Sequence, residues 1–313
     1  MNRTPRRAVA GAAAMAIAAA GLFAGAAPAG AAPKSDKANA AAECAGRSVP
    51  ASKISIQLFS YAGWGSQIGA EALLAELAEI GYRNVEPFGG SYQGRDAEEW
   101  EALLKEYKLK QPSSHGSVSA TGIEGNLDFA KEVGQKYVGS GGWAGPGIAR
   151  DGSSTWADVI ATAEAMNEYG EMSVKNGTGK IFGHNHQWEF TTIVTDPETG
   201  EEMTAWEALV QNTDPRYVTF QLDVFWAADA GADVVALLEE YGKRIELLHI
   251  KDGDLNGDAR GIPSDVGEGD LDWGPILEAA QGSVKYYVVE RDGAPADAEF
   301  ARDSFEFLTC YSY

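Results

Sequence analysis

The residues of this sequence that could do chemistry are concentrated in a few short segments. Its 313 residues include four histidines, and the net charge is −21. Each histidine lies at the end of a stretch with the alternating pattern of a β-strand, and so do three acids; these residues are His115, His184, His186, His249, Glu86, Asp223 and Glu290. Surface histidines would fall mostly on helices and loops. The pattern therefore favours a common site over a scattered set.

The spacing of these residues predicts a metal site. His184 and His186 are two residues apart, so both side chains leave the same face of one strand. Asp223, His249 and Glu290 end three consecutive strand patterns, and neighbouring strands lie about 4.8 Å apart. We expect His184, Asp223, His249 and Glu290 to hold one divalent ion (Mn²⁺, Co²⁺, Mg²⁺, Fe²⁺ or Zn²⁺), with positions left for water or substrate.

The elements that must position these side chains alternate between strand and helix from residue 53 onward. Eight strand patterns cover residues 53–61, 83–87, 111–115, 137–140, 180–186, 218–224, 245–251 and 286–290. Helical patterns follow them at 70–80, 96–107, 127–133, 155–176, 205–210, 234–241, 275–280 and 296–308. Eight such units predict an α/β fold, a single closed (β/α)₈ TIM barrel with its active site at the carboxyl ends of the strands. An open doubly wound sheet would need a Gly-rich phosphate turn after the first strand, and residues 61–66 do not provide one.

The N-terminal segment has the pattern of an export signal. Three arginines precede an apolar run over residues 8–27, and a small-x-small site follows at 29–31. We therefore expect a cleaved signal peptide at 1–31, a tether at 32–52 and the barrel at 53–313. The pair Arg6-Arg7 would allow twin-arginine export. An uncleaved membrane anchor is the alternative for the apolar run, and no later segment could span a bilayer.

The amino-acid composition narrows the classes of molecule that this protein is expected to bind. An acidic surface disfavours nucleic acid and anionic lipid. Tryptophans predicted to lie at the barrel mouth instead favour a small-molecule carbohydrate as substrate. The sequence leaves the oligomeric state open.

The two cysteines, Cys44 and Cys310, fall before the first strand and at the end of the last helix. Both belong at the bottom of the same barrel seam, and an exported protein meets an oxidising compartment, so we predict a disulfide; two free thiols are the alternative.

Five motifs resemble those of the xylose-isomerase-like superfamily, in particular the sugar phosphate isomerases/epimerases. They are GHNHQWEF (183–190), QLDV (221–224), HIKD (249–252), VGEG (266–269) and ERD (290–292). The resemblance runs in order from residue 53 to the C-terminus and implies that Asp223, His249 and Glu290 bind the metal. Many relatives have a metal-binding Glu on strand five, where this sequence has His184, so Glu189 is an alternative ligand.

The remaining site residues have weaker signals. We expect His186 to be a base or a substrate contact, with Glu189 as a further catalytic candidate. Lys251 shares a face with His249 and could polarise a carbonyl, or it could pair with Asp252 or Glu268. Aromatic walls suit sugars, and Glu86 and His115 end neighbouring strands. The predicted substrate-binding set is therefore Glu86, His115, Trp143, Trp188 and Trp226, with packing as the alternative role of the tryptophans.

These residues and the resemblance together imply proton abstraction next to a carbonyl of a sugar or keto-sugar, through a metal-stabilised enediolate. An isomerase or epimerase is the first expectation. A lyase that acts by β-elimination, or hydrolytic cleavage of 3-keto-glycosides, is the alternative. A non-catalytic sugar-binding barrel would not need the ligand set, and a nuclease for abasic DNA conflicts with the negative charge.

Overall fold

Eight short parallel strands form the interior of the molecule. A computed structural model describes residues 47–256 and 261–313. In this part of the chain the barrel strands are β1 (Ile54–Gln57), β2 (Asn84–Glu86), β3 (Ser113–His115), β4 (Tyr137–Gly139), β5 (Lys180–His184), β8 (Val218–Asp223), β9 (Ile245–Ile250) and β12 (Tyr286–Val289). Two antiparallel hairpins stand outside the barrel; they are β6 (Ile193–Thr195) with β7 (Glu202–Thr204), and β10 (Asp252–Asp254) with β11 (Ile262–Ser264).

The strands close into a barrel. Their hydrogen-bonded order is β2-β1-β12-β9-β8-β5-β4-β3, all parallel. The two ends of this order meet through parallel bridges between Asn84 and Lys110 and between Phe88 and His115. The predicted single (β/α)₈ TIM barrel is confirmed. Its strands consist almost entirely of buried residues, as expected when helices cover a parallel sheet.

Helices surround the strands. They are α1 (Ala62–Ile68), α2 (Ala70–Ile80), α3 (Ala97–Glu106), α4 (Ile123–Glu132), α5 (Trp156–Asn176), α6 (Trp188–Thr191), α7 (Ala205–Asn212), α8 (Val224–Asp229), α9 (Val234–Tyr241), α10 (Trp273–Ala279) and α11 (Glu299–Cys310). Capping boxes define several starts: Asp96 accepts from the backbone N–H of Glu99 at 2.9 Å, and Thr155 begins α5 in the same way with Asp158. Glycine in the left-handed conformation ends α5, because Gly177 has φ 91°.

The mouth of the barrel differs from the sequence-based expectation. The first strand ends at Gln57, whose side chain accepts from the N–H of Phe59 and begins a 3₁₀ turn over Leu58–Tyr61. Three short helices also lie at the mouth, at positions to which the sequence patterns assigned no helix: α1 follows this 3₁₀ turn, α6 begins a few residues after β5, and α8 begins directly after β8. The hairpins β6–β7 and β10–β11 were not predicted either, because they are short antiparallel pairs that stand outside the alternation of strand and helix.

The chain segment before the first strand packs on the end of the last helix. The N–H of Val49 donates to the carbonyl of Leu308 at 3.1 Å, and the N–H of Tyr313 donates to the carbonyl of Arg47 at 3.2 Å. Val49 is buried in the core. Residues 1–46 lie outside the described residues, and with them the predicted signal peptide and Cys44, so the disulfide to Cys310 stays a prediction. None of the described helices is both long and apolar enough to cross a bilayer.

Candidate active site

Three of the four predicted metal ligands meet at the carboxyl ends of adjacent strands. Asp223 on β8 is directly opposite His249 on β9, and Glu290 follows β12 on the other side of β9. One ligand atom from each residue lies within 4.8 Å of the other two, and all three side chains are buried. Nδ1 of His249 is 3.0 Å from Oε2 of Glu290 and 4.0 Å from Oδ2 of Asp223.

These three residues fit a divalent cation. Oδ2 of Asp223 is buried and accepts no hydrogen bond from the described residues. A buried carboxylate oxygen normally has a partner, so this atom indicates a position where a cation would complete the site. One imidazole and two carboxylates are a suitable donor set for Zn²⁺, Fe²⁺, Mn²⁺ or Co²⁺. A cation there would share the acidic oxygens with a lysine.

That lysine is Lys251, which is fully buried among acids. Its Nζ lies 2.8 Å from Oε2 of Glu290, 3.2 Å from Oδ2 of Asp223 and 3.3 Å from Oδ2 of Asp292. The contact with Asp223 is an ion pair whose geometry does not make a hydrogen bond. Burial lowers the pKa of Lys251, but the three carboxylates outweigh it and raise the pKa, so the ammonium stays charged.

Of the alternative partners considered for Lys251, Asp252 is engaged elsewhere and Glu268 is exposed on the turn that follows β11. Asp252 accepts from the backbone N–H of Gly267 at 2.9 Å and from Nε1 of Trp273 at 2.7 Å, and it anchors the turn over residues 266–269. Nζ of Lys251 lies 5.2 Å from the centre of the Trp226 ring. Trp226 is buried in α8 and contacts the ammonium rather than the cleft, which differs from the sugar contact expected from the sequence.

Glu86 orients the imidazole of His249 from below. Its Oε1 lies 2.8 Å from Nε2 of His249, and the same oxygen accepts from Nε2 of Gln57 at 2.8 Å. The other oxygen, Oε2, accepts from Nε2 of Gln221 at 2.7 Å and from the hydroxyl of Ser113. Because Nε2 of His249 faces Glu86, Nδ1 is the nitrogen directed at Asp223 and Glu290. Carboxylates commonly orient metal-binding histidines in this way.

The pKa values in this pair favour an ionised Glu86 and a protonated His249 in the absence of a cation. Burial raises the pKa of Glu86, but the charges of His115 and His249 outweigh it and lower the pKa. Burial also opposes the charge on His249, yet Glu290 and Glu86 raise the pKa of its imidazole to about 10. Glu86 is completely buried, so it lies below the cleft and not at the substrate position expected from the sequence.

His184 belongs to a second group of side chains. Its Nδ1 lies 3.1 Å from Oε1 of Gln221, and Nε2 of His115 lies 2.8 Å from the same oxygen. His115, His184 and His249 also have ring nitrogens within 4.8 Å of one another. The structure therefore does not gather His184 with Asp223 and Glu290. Burial lowers the pKa of His184 well below its usual value, so its imidazole is neutral.

Glu189 is turned into the protein near the mouth of the barrel. Its Oε1 accepts from Nε1 of Trp143 at 3.0 Å, and its Oε2 accepts from the backbone N–H of His186 at 2.8 Å. Burial outweighs these hydrogen bonds and raises the pKa of Glu189 to about 7. The Trp143 ring passes directly over Gly183, where any Cβ would overlap it. Glu189 therefore does not lie with Asp223, His249 and Glu290 in the candidate metal site. Trp143 packs over Gly183 and positions the Glu189 carboxyl through its hydrogen bond.

A cleft of about 310 Å³ opens above the cluster of Asp223, His249 and Glu290. The ring of His186 stacks on Trp188 with centroids 4.2 Å apart, and the guanidinium of Arg150 lies 4.9 Å from the centre of the same indole. Trp64 packs against Tyr61. The lining residues are Phe59, Phe88, His115, Gly141, Arg150, His184, His186, Lys251, Glu290 and Asp292.

Several residues of the site were missed by the sequence analysis. Asp292 is two residues after Glu290, and Gln221 is two residues before Asp223 on the same strand face, so strand alternation could have indicated Gln221. Arg150 lies in a loop after β4, and no periodic signal marks it. Phe59 and Phe88 pack edge to face at 5.4 Å and form an apolar wall that the emphasis on tryptophan overlooked.

Comparison with known proteins agrees with this geometry. Residues 74–309 match the family model described as "Xylose isomerase-like TIM barrel". This match covers most of the chain, and the chain belongs to that family. It is a family of enzymes of the sugar isomerase/epimerase or dehydratase type, and it generally binds a divalent metal ion.

Individual relatives are distant. An inosose dehydratase of Mesomycoplasma hyopneumoniae (strain 7448) is 25% identical in an alignment of 279 residues that covers 78% of this chain and 89% of the relative. An inosose dehydratase of Geobacillus thermodenitrificans is 23% identical in an alignment of 284 residues that covers 79% of this chain and 91% of the relative. A crystal structure of a sugar phosphate isomerase/epimerase from Parabacteroides distasonis superposes with a TM-score of 0.66 at 25% identity, covering 86% of this chain and 98% of that one.

Proposed function

We propose that this protein is a divalent-metal-dependent enzyme that removes a proton next to a carbonyl of a sugar or keto-sugar. The observation that carries the proposal is the convergence of Asp223, His249 and Glu290 at the floor of a cleft, where Oδ2 of Asp223 accepts no hydrogen bond from the described residues. A bound cation would supply Lewis-acid polarisation of a substrate carbonyl. Water is excluded from the buried floor of the cleft, and electrostatic interactions between charged groups are stronger there than in water.

The chain's own residues have distinct roles in this proposal. His186 lines the cleft, and burial together with the charge of Lys251 lowers the pKa of its imidazole to about 3. The ring is therefore neutral and has an unprotonated nitrogen, and it would serve as the base for the proton on carbon if bound substrate raised this pKa toward the working pH. Lys251 remains an ammonium at the same floor and can donate to an oxygen on which negative charge develops. Glu86 holds the His249 ring in place and does not contact the substrate.

The fate of the proton decides the reaction. Return to the same or a neighbouring carbon gives isomerisation or epimerisation, which is the first form of the proposal. Elimination of a leaving group is the second form, and the relatives named inosose dehydratases favour it because a dehydratase eliminates water. Lyase or hydrolytic action on a 3-keto-glycoside would be a variant of elimination with an alcohol as the leaving group.

Two measurements test the proposal. Elemental analysis of the purified protein should find about one divalent metal ion per chain. The protein would then be incubated in deuterated water with ketoses, inososes and 3-keto-glycosides, and with a ketose phosphate and a keto-sugar acid as anionic substrates. Deuterium in recovered substrate or product indicates proton abstraction, and a new ultraviolet-absorbing enone indicates elimination.

Matched variants complete the test. Asp223→Asn and Glu290→Gln should lose the metal and the exchange while keeping the circular dichroism spectrum of the barrel. Asp128→Asn, an exposed change on α4, is the control for loss of one carboxylate. Full metal occupancy in both ligand variants would refute the site. Sugar binding without any deuterium exchange would instead indicate a non-catalytic barrel.

A further inference from the structure

Arg150 is held at the cleft by an aromatic ring. Its guanidinium lies 4.9 Å from the centre of Trp188, and the same indole stacks on His186. Both Arg150 and His186 line the cleft above the acidic floor. A guanidinium held over an aromatic ring by a cation–π contact keeps its N–H groups available for hydrogen bonds.

Arg150 differs from every other arginine in the described residues. The others each make a hydrogen bond or an ion pair to a carboxylate, an amide or a carbonyl; they are Arg47, Arg83, Arg95, Arg216, Arg244, Arg291 and Arg302. Among residues 47–256 and 261–313, Arg150 has neither. This is unexpected in a chain with 46 acidic and 25 basic residues. Arg150 is also exposed, so water solvates its charge when no ligand is bound.

The other cation of the cleft is already neutralised. Lys251 pairs with Glu290, Asp223 and Asp292, so its charge is committed to the floor of the site. Arg150 is therefore the cleft cation of the described chain whose hydrogen-bond donors are not used by the protein. A guanidinium presents a planar fork of donors that matches two oxygens of a carboxylate or a phosphate.

We propose that Arg150 determines substrate specificity by binding an oxyanion carried on the sugar. The substrate class is then an acidic sugar derivative, a sugar carboxylate or a sugar phosphate, and not a neutral sugar. This inference rests on the proposed function for the reaction at the floor of the cleft, and it adds the recognition of a second group at the wall. The Trp188 ring keeps the guanidinium oriented for this contact.

Binding measurements test the inference. Isothermal titration of the metal-loaded protein would compare D-glucuronate and D-glucose 6-phosphate with D-glucose, at low and high salt. At least one anionic sugar should bind about 10-fold or more tightly than D-glucose, because hydrogen bonds to an ionised partner are the stronger ones. The preference should weaken with salt. A preference for only one of the two anions identifies the carboxylate or the phosphate.

The variants separate this role from general charge effects. Arg150→Gln should abolish the preference for the anion, leave the affinity for D-glucose unchanged and retain the metal. Arg150→Lys should recover only part of it, since an ammonium lacks the planar fork. Arg216→Gln is the matched control, because Arg216 also stacks on an aromatic ring, Tyr217 at 5.0 Å, but pairs with Asp214.

Two outcomes would overturn the inference. One is a wild-type protein that binds neither anionic sugar more tightly than D-glucose, and the other is a preference that survives in Arg150→Gln. Metal content and deuterium exchange, measured on the same preparations, report separately on the proposed reaction. An anion preference without exchange would refute the reaction and keep Arg150 as the recognition residue, whereas exchange without a preference would do the reverse.

Discussion

Glu189→Gln tests how the mouth of the barrel holds a buried carboxyl. Glu189 is 1% exposed, and burial raises its pKa from 4.5 to about 7. Below pH 4.5 the carboxyl is protonated in both the folded and the unfolded chain. Between pH 4.5 and 7 the unfolded chain loses the proton and the folded chain keeps it, so the free energy of unfolding falls as pH rises. Above pH 7 the carboxyl is ionised in both states, and the free energy of unfolding no longer changes with pH on account of Glu189.

The magnitude follows from the shift. A difference of about 2.5 pKa units corresponds to roughly 3 kcal/mol, at about 1.36 kcal/mol per unit. Gln imitates the protonated acid and does not titrate, so the variant escapes this loss. It keeps only one acceptor oxygen for the two donors, Nε1 of Trp143 and the N–H of His186. The missing acceptor costs about 1–3 kcal/mol at every pH. It therefore lowers the variant's free energy of unfolding by the same amount at each pH and leaves the shape of its pH dependence unchanged.

Urea unfolding from pH 4 to 8.5 is the assay. The free energy of unfolding of Glu189→Gln minus that of the wild type should rise by about 3 kcal/mol between pH 4 and 7.5 and then level off. Glu79→Gln, an exposed change on α2, serves as the control for loss of a carboxylate. A difference that stays flat within about 1 kcal/mol, or that falls with pH, would show that Glu189 is ionised in the folded protein.

Three further outcomes are expected. Gly183→Ala should destabilise the protein by about 1–3 kcal/mol in urea unfolding, since its Cβ would overlap the Trp143 ring; unchanged stability would contradict that packing. Glu86→Gln should weaken metal affinity about 10- to 100-fold in a chelator competition while the fold persists, because His249 loses its carboxylate partner; an unchanged affinity would argue against Nδ1 as the ligand. Thiol titration of the unfolded, unreduced protein should find no free thiol if the two cysteines are paired, and two free thiols would disprove the bond.

Much of the fold follows from local patterns. Alternation of strand and helix signals predicted the eight barrel strands, and α2 and α9 have the bounds that their apolar spacing indicated. These features depend on interactions within a few residues, such as caps and one buried face. The hairpins and the short helices at the mouth could not be predicted, because they are short insertions that the repeat of strand and helix does not require.

The sequence by itself determined which acids and histidines end adjacent strands. Because side chains alternate along a strand and parallel strands share one direction, Asp223, His249 and Glu290 must lie at the same end of the barrel. Only the tertiary structure decided what each polar atom faces. His184 is drawn to Gln221 rather than to Asp223 and Glu290, since ring orientation depends on neighbours distant in the chain. Arg150 lies at the cleft with its guanidinium over the ring of Trp188, a residue of another loop. Strand register is a local property, whereas hydrogen-bond partners and loop contacts form between residues far apart in sequence.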